Sequence, residues 1–186
     1  MRKERLNIQF CGFGGQGLVL AATVFGTAAV LSGLNAVQTQ SYGSEARGGE
    51  CQAELILSQK PINSPSAAKV DLLIAMSQPA LDRYLRRLSS NGTLVIDPRY
   101  VDRPGREDIR IIEVPVTQMA AEEIGQQITA NMVMLGFLRQ ATNLISEEIL
   151  LKAIGESVPE RFLEANLKAA DRGRQLAVEE KIVVEA

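Results

Sequence analysis

The sequence predicts an α/β fold, a three-layer sandwich with a mixed, mostly parallel sheet and a helical C-terminal part, and three observations predict it. An apolar strand pattern at residues 6–11 runs straight into Gly12-Phe13-Gly14-Gly15-Gln16-Gly17, and a long apolar helix pattern follows. Further short apolar runs alternate with helical or polar stretches as far as residue 116. Beyond Thr117 the apolar spacing is almost wholly helical. Strands alternating with helices place a sheet between helical layers, and the strand–Gly-x-Gly-x-x-Gly–helix order is the Rossmann-like opening unit. With 186 residues, the chain is expected to form a single domain, 1–186, with a sizeable core.

Residues 6–11 are the first strand, and 15–32 form the helix after it, stopped by Gly33. Residues 36–40 read as a second strand and 51–58, where apolar and polar residues alternate, as a third. The short connection between them predicts an antiparallel hairpin and so a mixed sheet. The run Asp71-Leu72-Leu73-Ile74-Ala75-Met76 is a strand buried on both faces. Ser77 caps the next helix, with Pro79 in its first turn; Leu81, Leu85 and Leu88 share one face and the helix stops near Asn91-Gly92. Strands follow at 93–97 and 108–116, and helices at 117–125, 129–143, 146–155 and 159–180. Leu163, Leu167, Ala170 and Ala177 give the last helix an apolar stripe for the sheet or a neighbouring helix, and Ile182-Val183-Val184 is an apolar tail that docks on the domain or on a partner.

Composition removes several chemistries. There is no histidine, which excludes Ser-His-Asp and Cys-His nucleophile systems and His-ligated metals. The two cysteines, Cys11 and Cys51, are too few for an iron–sulfur cluster and read as buried small hydrophobes in a reducing cytoplasmic compartment. A net charge of −2 without basic clusters gives no nucleic-acid or membrane-surface footprint. Residues 18–34 are apolar, but at that length, with Gly26 and Gly33 and a strand before them, they read as a helix beneath a sheet rather than a membrane span. Asn7, Gln9 and the glycines interrupt any signal-peptide core.

Ligands of open α/β sheets sit outside the carboxyl ends of the parallel strands. Segments 12–17, 41–50, 77–79 and 97–99 are expected at that edge, the first two on one surface if the first two strands are neighbours. The glycine loop leaves three readings open. It could hold a nicotinamide or flavin dinucleotide, but that needs an acid after the second strand for the ribose, and Val37-Gln38-Thr39-Gln40-Ser41 has none. It could hold another anion on backbone N–H groups, or its glycines could serve close packing alone. The segment Ser41-Tyr42-Gly43-Ser44-Glu45-Ala46-Arg47-Gly48-Gly49-Glu50 combines an aromatic hydroxyl, two carboxylates, a guanidinium and three glycines. It is either a solvated loop with a local Glu45–Arg47 pair or a binding loop in which Arg47 grips a carboxylate or phosphate.

Taken together, Gly12-Phe13-Gly14-Gly15-Gln16-Gly17, Ser41-Tyr42-Gly43-Ser44-Glu45-Ala46-Arg47-Gly48-Gly49, Ser77-Gln78-Pro79-Ala80 and Asn131-Met132-Val133-Met134-Leu135-Gly136 resemble the gamma subunit of 2-oxoacid:ferredoxin oxidoreductases, the unit also found as a domain of pyruvate:ferredoxin oxidoreductase. The resemblance implies a multi-subunit enzyme that oxidatively decarboxylates a 2-oxoacid, with coenzyme A taking the acyl group and ferredoxin or flavodoxin the electrons. The separate, short chain and the Ser-Tyr-Gly-x-Glu-x-Arg-Gly-Gly form resemble members acting on 2-oxoglutarate or branched-chain 2-oxoacids more than those acting on pyruvate, and the 2-oxoglutarate type is the one expected. Thiamine diphosphate, magnesium and the iron–sulfur clusters are then expected in alpha, beta and ferredoxin-like delta subunits, and none in this chain. No residue here is expected to be catalytic or to bind metal. Ligand or subunit contacts are expected at Gly12, Gly14, Gly15, Gln16, Gly17, Ser41, Tyr42, Gly43, Glu45, Arg47, Gly48, Gly49, Ser77 and Gln78. The rival readings are a free-standing NAD(P)-dependent oxidoreductase and a non-catalytic binding or regulatory module.

Overall fold

The computed structural model describes residues 4–43 and 49–184. One six-stranded sheet runs through it, built from β1 (Arg5–Phe13), β2 (Asn35–Tyr42), β3 (Glu50–Ser58), β4 (Val70–Ala75), β5 (Leu88–Ile96) and β6 (Arg110–Glu113). Their order is β2-β3-β1-β4-β5-β6. β1, β4, β5 and β6 are parallel neighbours, whereas β3 is antiparallel to both β1 and β2. The sheet is therefore mixed and mostly parallel, as the hairpin signal predicts. The first two strands are not neighbours, however: β3 lies between them, because the hairpin folds back onto β1.

Alternation along the strands sends side chains to two cores of unequal size. Leu6, Ile8 and Phe10 of β1, with Ala53, Leu55 and Leu57 of β3, face the larger core, which also takes α1 (Leu18–Leu31), α4 (Ala130–Thr142), α5 (Glu147–Ser157) and α6 (Glu160–Glu179). Cys11, Leu73, Ala75, Leu94 and Ile96 face the smaller core under α2 (Gln78–Tyr84). Helices thus cover both faces, giving three layers.

Three expected elements differ in extent. Leu88 does not continue the helix. After Tyr84 a single 3₁₀ turn leads into β5, where Leu88 pairs with Val70. Two steps on β4 (Val70 to Leu72) then oppose five on β5 (Leu88 to Thr93), and Asn91 takes a left-handed φ of 63° within that bulge. A leucine at helical spacing serves a strand equally well, and the tertiary partner decides. The strand expected at 108–116 is only Arg110–Glu113, and the helix expected at 117–125 is one α turn, α3 (Val116–Met119), running into a π turn. No described helix is long and apolar enough to cross a membrane.

α6 packs on α4 rather than on the sheet. α4 is buried on all sides from Ala130 to Leu138, the pattern of an internal helix. A β-carbon on Gly136 would fall on the Ala170 carbonyl, and one on Gly173 on the Val133 carbonyl, so the two backbones meet directly. The tail closes this end: Val184 N donates to Ala141 O (2.7 Å) and the Val184 side chain is buried.

Gly136→Ala and Gly173→Ala are each expected to destabilise the chain by at least about 2 kcal/mol in denaturant unfolding, because two backbones must separate. Gly155→Ala is the control. Its β-carbon would meet nothing nearer than Leu163 Cδ1 at 3.9 Å, so helix propensity makes it neutral or stabilising by up to about 1 kcal/mol.

Candidate functional site

β1 and β4 are the strands from which the chain departs in opposite directions, β1 toward β2 and β4 toward β5. The crevice beyond their carboxyl ends is where this topology places a ligand. A cleft of 390 Å³ opens there, within the range of small-molecule sites. Phe13, Met76, Ile128 and Ala130 give it apolar walls; Gln16, Tyr100, Thr117 and Gln127 give it hydrogen-bonding groups, and Gly14 and Gly15 form its rim. Among the described residues, no charged side chain lines it.

The glycine loop is held by two amide side chains. Gln16 turns back under its own loop, accepting from Phe13 N (2.7 Å) and donating to Met76 O (2.8 Å), which joins the ends of β1 and β4. A β-carbon on Gly12 would collide with the Gln16 carboxamide. Asn131, in the first turn of α4, donates to Gly17 O (3.1 Å), and a β-carbon on Gly17 would collide with that amide. Gly15 (φ 100°) and Gly17 (φ 71°) also take left-handed conformations that L side chains rarely adopt. Thus Gly12 and Gly17 make room for Gln16 and Asn131, while Gly15 makes the turn.

The 41–50 segment returns to this loop by a route other than the expected one. Its ends are the β2–β3 hairpin, and β3 starts beside the end of β1. Gly14 N donates to Gly49 O (2.8 Å), and Gly43 N donates to Glu50 O (2.6 Å), which closes the hairpin neck. A β-carbon on Gly43 would lie 3.0 Å from Glu50 N, a tight approach to the opposite backbone. Ser41 and Tyr42 are exposed on the edge strand. Glu45, Arg47 and Gly48 lie outside the described residues.

Glu50 anchors the returning end of that hairpin. Its carboxylate accepts from the Tyr84 hydroxyl and pairs with Arg83 (2.5 Å), both on α2. Burial, and then the hydrogen bond to Glu50, pushes the Tyr84 phenol well above its ordinary range. Burial, with the Glu50 charge adding to it, raises the Cys11 thiol even more plainly. Asp97, wholly buried at the end of β5, accepts from Arg99 N and Thr117 N (3.0 Å each) and ties the Tyr100 loop to α3.

Ser77 begins α2 but makes no capping bond; its buried hydroxyl, like Asn131 Oδ1, has no hydrogen-bond partner among the described residues. Gln78 accepts from Asp102 N (2.8 Å), fixing the 97–103 loop rather than reaching the glycine loop. Sequence reading placed Glu50 and Asp97 in segments at this edge without naming either as a contact, and it missed Tyr100, Thr117 and Gln127. Asp97 carried a signal, an acid closing a buried apolar run, and Glu50 lay in a loop already singled out; Tyr100, Thr117 and Gln127 carried none.

Among the described residues, no group of three His, Cys, Asp or Glu is placed to hold a metal ion. The geometry builds a neutral, partly apolar cleft, rimmed by a rigid glycine loop and the neck of a polar hairpin. Among the described residues, its lining offers hydrogen-bonding and apolar groups that can bind and orient a ligand.

A sequence profile of the pyruvate ferredoxin/flavodoxin oxidoreductase family matches residues 7–176. The chain is 43% identical over 182 residues to the 2-oxoglutarate synthase subunit KorC of Methanocaldococcus jannaschii, covering 96% of each chain. It is 45% identical over 186 residues to the KorC of Methanothermobacter marburgensis, covering 96% of this chain and 98% of that one. Among solved structures, the keto/oxoacid ferredoxin oxidoreductase gamma subunit of Geobacter sulfurreducens superposes with a TM-score of 0.82 at 36% identity, covering 94% of this chain and 99% of that one.

Gln16→Ala is expected to cost about 1–2 kcal/mol and to speed amide exchange at Phe13 about tenfold, since it frees two loop ends at once. Both thiols are expected to stay unreactive toward a thiol reagent at pH 8 in the native chain and to react fully in denaturant, because both are buried and burial raises both.

Proposed function

The chain belongs to the pyruvate ferredoxin/flavodoxin oxidoreductase family, and we propose that it is the gamma subunit of a 2-oxoacid:ferredoxin oxidoreductase, with 2-oxoglutarate as the 2-oxoacid. The relatives named as a 2-oxoglutarate synthase subunit match it over nearly its whole length, which supports that substrate. The observation that carries the role is the junction of the two loops: Gly14 bonded to Gly49 joins the glycine rim to the neck of the 41–50 hairpin, beside a cleft with no charged residue among its described lining.

In this reading the chain acts as a single unit in the cytoplasm and has no activity alone. Alpha and beta subunits, with a ferredoxin-like delta subunit, hold thiamine diphosphate, magnesium and the iron–sulfur clusters. The residues of this chain do not suit those groups: both cysteines are buried in strands and the described residues offer no metal cluster. Its contribution is a surface toward the thiamine-bearing subunits and part of the approach for coenzyme A. An uncharged cleft with hydrogen-bonding groups suits an amide-containing pantetheine arm, and Arg47 would take a phosphate or carboxylate, with Glu45 positioning it and Tyr42 offering a hydroxyl. Ferredoxin or flavodoxin accepts the electrons elsewhere in the complex.

Reconstitution tests this. The partner subunits assembled with this chain are expected to reduce an electron acceptor in the presence of 2-oxoglutarate and coenzyme A; full activity without the chain would overturn the proposal. Arg47→Ala is expected to raise the KM for coenzyme A or to weaken assembly, and an unchanged complex and rate would reduce that loop to a solvated hairpin. Titration of the isolated chain with NADH and NADPH is expected to give no saturable micromolar binding.

A further inference from the structure

One hydrogen bond joins two segments that line the cleft at the carboxyl edge. Gln127 Nε2 donates to the Tyr100 hydroxyl oxygen (3.1 Å), and both residues are in the lining. Tyr100 comes from the loop after β5, Gln127 from the 3₁₀ turn Gln127–Thr129 that leads into α4. Each segment is tied from behind. Tyr100 N and Val101 N donate to Asp97 O (3.0 and 3.1 Å), and Val101 is buried in the smaller core. The Asp97 carboxylate, itself wholly buried, takes Arg99 N on one oxygen and Thr117 N on the other, and Thr117 also lines the cleft. On the other segment, buried Thr129 turns back on Gln126 O with both its N–H (2.9 Å) and its hydroxyl (2.8 Å). Side chains set on tied segments lose little freedom when a ligand arrives.

The bridge leaves two hydrogen-bonding positions open. The phenol accepts from Gln127 but still has its own proton to give, and Gln127 Oε1 has no partner among the described residues. Turning the carboxamide over exchanges the roles of the two side chains and again leaves one donor and one acceptor. That pair sorts ligand groups. A carboxylate or phosphate brings acceptors alone and an ammonium donors alone, so each leaves half of the pair unmatched. A sugar brings both, but with a hydroxyl on nearly every carbon it has little to set against Phe13, Met76 and Ile128. Amides linked by methylenes have both the polar groups and the apolar surface. A trans amide points its C=O and N–H in opposite directions, so a single amide cannot reach two neighbouring positions. Two amides in series can, the carbonyl of one and the N–H of the other.

We propose that Tyr100 and Gln127 are the residues that read such an arm, and that Asp97 is the positioning residue that delivers Tyr100 to it. Under the functional reading above, on which this inference rests, the arm is the pantetheine of coenzyme A, whose two amides are joined by methylenes. Asp97 then acts through Tyr100 without touching the ligand. A wholly buried carboxylate is costly unless its hydrogen bonds are made, and both of its bonds go to segments that line the cleft.

Steady-state kinetics of the reconstituted complex test it, with the KM for coenzyme A and kcat measured separately. Tyr100→Phe keeps the ring and removes the hydroxyl. It is expected to raise that KM about fivefold, the effect of one neutral hydrogen bond, with kcat changed less than about twofold. The factor is expected to be the same at about 50 mM and about 500 mM salt, because a neutral bond is not screened. Gln127→Ala is expected to raise the KM as much, and the two together by less than the product. Asp97→Asn leaves one oxygen to accept where there were two. It is expected to raise the KM, and to add less than about twofold in the Tyr100→Phe background, where no hydroxyl remains to be positioned. Where Asp97→Asn does not fold, Tyr100→Phe and Gln127→Ala decide the proposal. A KM untouched by either overturns it. So does a factor that vanishes at high salt, which would make the contact one of charge. So does a kcat that falls with the amount of assembled complex at constant KM, which would make the bridge structural only. A wild-type complex that turns over without coenzyme A overturns the functional reading, and this inference with it.

Discussion

The backbone contact between α4 and α6 fixes most of what matters in this molecule. Gly136 and Gly173 each face a carbonyl of the opposite helix, so neither helix can rotate or translate without a collision. Ala169, Ala170 and Ala177 keep the rest of that side of α6 shallow and buried. The consequence reaches the functional edge. Asn131 lies five residues before Gly136, about 7.5 Å along the same helix axis, and its amide holds Gly17 O. A helix that cannot slide delivers that amide to one place. The glycine loop is thereby positioned by a helix pair far from it in sequence, not only by the strand and helix it connects.

The fold class was legible because its signals are local. Continuous apolar runs bounded by turns mark buried strands, and a strand–glycine–helix order marks the opening unit. What escaped depended on partners distant in the chain. Leu81, Leu85 and Leu88 satisfy a helix equally well, and only the pairing of Leu88 with Val70 makes the last of them a strand residue. The meeting of the two loops was foreseen for the wrong reason. Adjacent β1 and β2 would have brought them together; in fact β3 intervenes, and its own start carries Gly49 to Gly14. The tail was read as apolar and ready to dock, and it docks on the end of α4. The site was half legible. Glycines and amides showed in the motifs, but Asn131 and Gly17 are 114 residues apart and Glu50 meets α2 more than 30 residues on. Nothing in a single sequence joins such pairs. Glu45, Arg47 and Gly48 remain expectations.

The same contacts show how the glycines of the motif are used within the fold. In a dinucleotide site the loop amides stay free for the pyrophosphate, and a neighbouring parallel strand ends in an acid for the ribose. Here Gly14 N is bonded to Gly49 O and Phe13 N to the Gln16 side chain. The strand beside β1 on that side is antiparallel, so it offers its start, not its end, at this edge. Its first acid, Glu50, is engaged by Tyr84 and Arg83. Glycine is needed at positions 12 and 17 because protein amides, not a phosphate, come close to them. A motif whose spacing matches dinucleotide binding has thus been turned inward, to clamp the ends of β1 and β4 and the start of α1 together. The clamp sets the cleft and the neck of the polar hairpin side by side, which is the surface proposed above for a partner.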